Sequence, residues 1–148
     1  MTLRTFASVA KAKPGDRVAI LSPAFAAPAV SEVVHEQAMR RLREATGLEP
    51  VEYSTTRQHG ARDEARAAAI TAAFADPTIG AVLPRFGADD QVTVIPHIDA
   101  GVLAANPKPF LGYSDNMNLH NLLWNLGVPS YYGGSTQVHL GPGPHLDE

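Results

Sequence analysis

The chain has no cysteine, which removes disulfides, thiolate metal sites and a thiol nucleophile together. It has no basic surplus either. Twelve Lys and Arg against 15 Asp and Glu leave a formal charge of −3, so neither a nucleic acid polymer nor an anionic membrane is an expected partner. No run approaches the ~18 apolar residues a spanning helix needs. The opening stretch "MTLRTFASVAKAKPGDRVAIL" is interrupted by Lys11, Lys13, Pro14 and Asp16 before an apolar core of signal-peptide length can form. A cytoplasmic protein is the expectation. The phosphate-cradling patterns G-x-G-x-x-G and G-x-x-x-x-G-K-[ST] are missing, which ranks a generic nucleotide binder low. No histidines show the spacing of H-E-x-x-H, and no metal or cofactor is expected. What is present is an ordinary globular composition, 45% hydrophobic over 148 residues. That suits one domain able to bury about two-thirds of its unfolded surface.

Apolar runs and helical patterns alternate along the chain. Lys13-Pro-Gly-Asp16 is a turn signature, and 17–23 reads as a short buried strand. Residues 24–29 form a small-residue loop. Val30, Val34, Ala38, Leu42 and Ala45 define one helical stripe, started near Ser31 and stopped by Gly47, with Arg40, Arg41 and Arg43 near its end. Further strands are expected at 48–53, 79–83, 109–112 and 128–132. The alanine-rich stretch 62–75 predicts a helix ended by Asp76-Pro77. A short helix is expected over 89–97, broken at Pro96, and a turn over 102–105. A helix over 116–126 turns Leu119, Leu122, Leu123 and Leu126 inward and ends at Gly127. Strands alternating with helices imply an α/β fold, with a mostly parallel sheet and helices on both faces. Ligands of such sheets bind beyond the carboxyl ends of the strands, where Ser22, Gly87 and Ser114 all fall. The tail "HLGPGPHLDE", rich in Gly and Pro, reads as a linker. The organisation expected is a domain over 1–140 and the start of an interdomain linker over 141–148, with a second domain to follow.

The stretch "FLGYSDNMNLHN" sets Ser114 between an apolar run and a helical pattern. Two readings are open there. A serine on a sharp strand-to-helix turn is lifted clear of the backbone, with a helix N-terminus behind it to stabilise negative charge. A serine before a helix is also an ordinary N-cap. "GYSDN" has Gly112 two residues before the serine but Asn116 where G-x-S-x-G has its second glycine. Gly87 to Asp90 reads locally as a turn capping the next helix, with Asp89 and Asp90 as first-turn acids. Gly133-Gly134 reads as a turn.

"KPGDRVAILSP", "AFADPTIGAVL", "GADD" and "NPKPFLGYSDNMNLHNLLWNLGVPSYYGG" occur here in one order. In these blocks the chain resembles the N-terminal domain of the serine LD-carboxypeptidase family, and within it the branch of the microcin C immunity peptidases. The resemblance runs over essentially the whole chain. It implies a flavodoxin- or Rossmann-like N-terminal domain of a serine carboxypeptidase. Full enzymes of this kind cleave an amide next to a free carboxylate, in murein tetrapeptides, as in peptidoglycan recycling, or in peptidyl and aminoacyl nucleotides. It makes Ser114 the nucleophile and the backbone N–H of Asp115 one oxyanion donor. The second donor comes from the glycine pair after the third strand, which here reads Gly87-Ala88 and is preceded by the atypical Arg85-Phe86.

A serine hydroxyl needs a base, and the base an orienting acid. The family takes its glutamate and histidine from a C-terminal domain, so the chain alone is expected to be inactive, with that domain supplied in trans or by a longer chain. The local histidines do not replace them. His120 lies six positions after Ser114, roughly 240° round a helix at about 100° per residue. His97 covers a helix end, His35 and His59 read as surface residues, and nothing in the sequence positions His139 or His145. The expected partners are a peptide or peptidyl-nucleotide substrate and the missing domain. A homodimer is a further expectation, because a second domain would normally cover apolar surface. The alternative is a non-catalytic module of the same fold that binds a carboxylate-bearing peptide or a partner chain.

Overall fold

The computed structural model describes residues 5–26, 29 and 31–145. The first four residues, Val30 of the helical stripe, two residues of the 24–29 loop and the last three of the tail lie outside them. The elements run β1 (Arg17–Leu21), α1 (Glu32–Thr46), β2 (Glu49–Glu52), α2 (Asp63–Ala75), β3 (Ile79–Pro84), α3 (Gln91–Val94), α4 (Ala100–Ala105), β4 (Leu111–Gly112), α5 (Met117–Asn125) and β5 (Tyr131–Tyr132). Three-residue 3₁₀ turns follow α3 at Ile95–His97 and precede α5 at Ser114–Asn116, and a single wide turn spans Thr136–Leu140.

All strand pairings among the described residues are parallel. β1 pairs with β2 on one side and β3 on the other, and β4 pairs with β5. One bridge, Val82 to Phe110, joins the two sets, giving the order β2-β1-β3-β4-β5. The chain reverses its direction of growth between β1 and β3, and a crevice opens at that reversal beyond the strand ends.

The period-two geometry of a strand divides the core. Val18 and Ile20 face α1, where they pack with Ala38, Met39 and Leu42. Ala19 and Leu21 face the other side, where Ile70 and Phe74 of α2, Leu103 of α4, and Leu119 and Leu123 of α5 close the larger core. Gly47 takes φ 69° and stops α1 with its N–H on the Arg43 carbonyl, as its position predicts.

Several local expectations are corrected. The stretch 102–105 is the end of a true helix, started by Asp99, whose carboxylate accepts from the Val102 N–H at 3.1 Å. Ala45 is exposed, and the buried stripe of α1 is instead His35, Ala38, Met39 and Leu42. His35 is not a surface residue. It is fully buried, with Nε2 2.7 Å from Glu52 Oε1. Arg41 is buried too, with its guanidinium donating to the carbonyls of Leu140, Pro142 and Gly143 at 2.8–2.9 Å. Residues 141–143 of the tail are therefore held against α1.

Candidate active site

Ser114 is the one non-glycine residue with positive φ among those described, at 59°. A left-handed turn at a serine costs on the order of 1–2 kcal/mol and persists only where the surroundings impose it. The surroundings do so here. β4 ends at Gly112, where a Cβ would lie 2.9 Å from Pro84 Cγ and 3.0 Å from Asn116 Cβ, so no side chain fits. Asn116 is fully buried. Its amide donates to the carbonyls of Tyr113 at 3.1 Å and Phe86 at 3.3 Å, and its oxygen accepts from Gln91 Nε2 at 2.9 Å. Gln91, also fully buried, accepts the Leu119 N–H at 3.1 Å. The bends after β3 and β4 are thereby tied to each other.

The Ser114 side chain is exposed and makes no hydrogen bond among the described residues; it caps neither the 3₁₀ turn nor α5. The N-cap reading is overturned, because the positive φ turns the hydroxyl off the helix. The neighbouring carboxylate serves the adjacent bend. Asp115 Oδ2 accepts the Gln91 N–H at 2.8 Å, and Oδ1 accepts from Asn118 Nδ2 at 2.8 Å.

Gly87 comes directly against this bend. A Cβ on it would lie 2.8 Å from Ser114 Cβ, 3.0 Å from Oγ and 3.3 Å from the Asp115 nitrogen. Gly87 is needed for space, not for φ. Ala88, where the resemblance implies a second glycine, also avoids positive φ, the conformation that an alanine would resist. The structure thus brings Ser114, Asp115 and Gly87 together, with Ala88 next in the chain. Asp90, expected as a first-turn acid, instead pairs with buried Arg66 at 3.0 Å.

The histidines are placed otherwise. His120 is buried and structural. Its Nε2 bonds the Gly112 carbonyl at 2.9 Å and its Nδ1 the Ser130 hydroxyl at 2.7 Å. Burial pushes its pKa down, against the hydrogen bond to Gly112. A neutral ring that donates from Nε2 and accepts at Nδ1 joins β4 to the approach of β5. His139 is fixed, contrary to the expectation for the tail. Its Nδ1 accepts the Ser135 N–H at 3.1 Å, and its ring meets Tyr113 edge-on with centroids 5.7 Å apart. No histidine among the described residues bonds to Ser114. No group of three or more His, Cys, Asp or Glu among them is placed to hold a metal.

Sequence reasoning missed Gln91 and Arg66, and named Asn116 and Arg85 without their buried roles. Arg85 is the bulkiest of the fully buried side chains. It donates to Thr136 Oγ1 at 2.8 Å and to Gln137 Oε1 and forms no ion pair among the described residues; burial lowers its pKa to about 10, against the more distant charge of Glu52. The available signal was the polar residue inside each apolar pattern.

The profile of the LD-carboxypeptidase N-terminal domain family matches residues 18–133, and the chain belongs to that family. A protein of Vibrio cholerae that carries a provisional carboxypeptidase name is 29% identical over 139 residues, covering 89% of this chain and 41% of that protein. Among solved structures, the microcin C7 self-immunity protein MccF, in complex with aspartyl sulfamoyl adenosine, superposes with a TM-score of 0.86 at 22% identity. The match covers 93% of this chain and 42% of MccF. An MccF-like protein from Bacillus anthracis superposes with a TM-score of 0.82 at 26% identity, over 87% and 40% of the two chains. The chain therefore spans about two-fifths of the length of the proteins it matches. No helix among the described residues is long and apolar enough to cross a membrane.

Proposed function

We propose that Ser114 is the nucleophile of an amide-hydrolysing serine carboxypeptidase site, and that its base and orienting acid come from polypeptide outside these 148 residues. Residues 1–140 are then the nucleophile-bearing domain, and 141–148 the start of the connection onward. The observation that carries the reading is the bend itself: an exposed, unbonded hydroxyl at φ 59°, pressed against Gly87 and the amide of Asp115. Such strain at an otherwise ordinary serine is a feature of working sites.

In the reaction, a base takes the Ser114 proton and Oγ attacks the carbonyl carbon of the scissile amide. The oxyanion that forms lies between the Asp115 N–H and the N–H of Gly87 or Ala88, each donor being worth roughly 2.7–4 kcal/mol. The C–N bond breaks as the amine takes the proton. Water, deprotonated by the same base, then releases the acid and restores the serine. The substrate class is an aminoacyl or peptidyl nucleotide, or a peptide amide next to a free carboxylate. The first is favoured by the likeness to MccF, whose ligand is aspartyl sulfamoyl adenosine.

Because no histidine among the described residues bonds to Ser114, the isolated chain should retain at most the residual rate of an oxyanion hole without its base. That same observation suits a second reading, a binding module of this fold without turnover. Fluorophosphonate labelling separates them. The isolated chain should stay unlabelled. Added C-terminal polypeptide, either the gene's own continuation or the remaining region of the Vibrio relative, should produce labelling that Ser114→Ala abolishes. Labelling of the isolated chain would refute the external base, and no labelling of the completed pair would favour the binding module.

A further inference from the structure

The two buried amides that tie the bends together also have a direction. The Leu119 N–H can only donate, so the end of Gln91 that meets it at 3.1 Å is the oxygen. Gln91 Nε2 is then left for Asn116, which receives it at 2.9 Å on its own oxygen. That leaves Asn116 Nδ2 for the carbonyls of Tyr113 at 3.1 Å and Phe86 at 3.3 Å, groups that can only accept. Both amide side chains are fully buried, so water does not compete for these bonds. Each amide is oriented by the one before it, and neither can turn over without setting like against like.

What the last amide holds is a pair of peptide planes. No peptide bond among the described residues is cis, so in each plane the N–H points opposite to the C=O. The Phe86 carbonyl shares its plane with the Gly87 N–H, and the Tyr113 carbonyl with the Ser114 N–H. Gripping Phe86 therefore fixes the Gly87 N–H on the side away from Asn116. Gly87 is buried, yet its N–H meets no acceptor among the described residues. A buried backbone donor without a partner is rare, and this one belongs to the residue pressed on the serine, where a Cβ would lie 3.0 Å from Oγ. No hydrogen bond among the described residues holds the Gly87 carbonyl, so the Ala88 N–H is not fixed in the same way.

We infer that Asn116 and Gln91 are positioning residues for the amide hydrolysis, and that the donor they aim at the oxyanion is the Gly87 N–H, not that of Ala88. This rests on the reading of Ser114 given above. Neither side chain touches substrate. Asn116 acts through the peptide between Phe86 and Gly87, and Gln91 acts by stopping the Asn116 amide from turning over.

The test follows fluorophosphonate labelling of the completed pair, resolved into the limiting rate kinact and the half-saturating concentration KI. In that step Oγ bonds to phosphorus, fluoride leaves, and negative charge gathers on the phosphoryl oxygen. A misaimed donor therefore lowers kinact and leaves KI alone. Gln91→Glu keeps the acceptor for Leu119, but its ionised form offers Asn116 no proton. The Asn116 amide should then turn over to donate to the carboxylate, setting an oxygen against the Phe86 carbonyl. At alkaline pH kinact should fall at least about tenfold, part of the roughly 10²–10³-fold that removing a whole donor costs. The ratio of variant to parent should climb back towards one as pH falls, because a protonated Glu donates as Gln does. Asn116→Leu should lower kinact similarly at every pH. A purely structural pair would instead show its loss in melting temperature, with kinact of the folded protein unmoved. Should a variant not fold, the parent chain still decides: its Asn116 side-chain amide protons should exchange slowly with solvent. Fast exchange, an unchanged kinact in a folded variant, or a loss carried by KI would each overturn the inference. No labelling of the parent pair would sink the serine reading and this inference with it. Parental labelling with an unchanged kinact in the variants would sink this inference alone.

Discussion

The bend at Ser114 and the segment Thr136 to Gly143 are treated by the fold in opposite ways. The bend carries the strained backbone and leaves its hydroxyl unbonded. The segment has a composition that suggests slackness, yet side chains distant in sequence hold it at nearly every residue. Arg41 and Gln37 collect the carbonyls of Leu140 to Gly143, and Arg85 takes the side chains of Thr136 and Gln137. A Cβ on Gly141 would lie 2.4 Å from Val34, so the glycine there serves close packing and not freedom. Order comes from what bonds a segment, whatever its composition. A reactive atom is kept available by satisfying everything around it and not the atom itself.

The largest way to break this contrast is to remove Arg85. Arg85→Ala empties the bulkiest fully buried side chain and orphans Gln137, and should cost about 3–4 kcal/mol in urea unfolding. Arg85→Met should cost under about 1 kcal/mol, because it also removes a desolvated charge that forms no direct ion pair among the described residues. Equal losses would show that the charge, not the volume, is what the segment needs.

Acid offers a second probe, directed at the ion network where β2 ends. Burial pushes the Glu52 carboxyl up, but hydrogen bonds from Arg57 and His35 outweigh it and hold the pKa at about 2, against 4.5 in the free side chain. A depressed carboxylate stabilises fully above the unfolded value and loses that contribution as pH falls through the folded one. His35 acts in the same sense from higher pH, since burial lowers its pKa and the unfolded state binds the proton more readily. Stability should therefore fall from about pH 6.5 downward and most steeply between 4.5 and 2, by on the order of 2 kcal/mol for Glu52. Glu52→Gln should flatten the lower part of that curve in a pH series of chemical melts.

Gly87→Ala tests the bend itself. Its methyl would sit 2.8 Å from Ser114 Cβ, an overpacking of roughly 1–2 kcal/mol, and labelling of the completed enzyme should fall far more than stability does. The smallest change has the opposite sign. Ser114→Gly removes the positive-φ penalty and should stabilise the chain by about 0.5–1 kcal/mol in the same melts, while no labelling remains. A destabilised Ser114→Gly would mean that the hydroxyl had a structural duty after all.

The alternation of strands and helices was legible because apolar periodicity and glycine stops act locally. α1 ends at Gly47 and α5 at Gly127, both at positive φ, as read from sequence. The serine and Gly112 were legible through the local G-x-S spacing. The strand pattern put Gly87 on the same sheet edge as Ser114, but its role beside the serine came from the family resemblance, since their contact crosses from one strand end to another. Arg41, Arg85, His35 and Arg66 were misread or overlooked for one reason. A charged residue is ordinarily solvated, and the oxygen partners that reverse that expectation lie 17 to 102 residues away or across a turn. His139 was invisible likewise, because the wide turn that seats it against Tyr113 has no sequence signature.

Gln91 binds the bend of one strand to that of the next through its backbone N–H and both ends of its side-chain amide: the N–H to Asp115, the amide nitrogen to Asn116, the amide oxygen to the Leu119 N–H. The four residues between Phe86 and Gln91 are thus a measured spacer with both ends anchored. Inserting or deleting one of them would drag the Asp115 amide off its alignment even with each residue around Ser114 unchanged. The composition of that spacer is free to drift, as Ala88 shows, but its length is not.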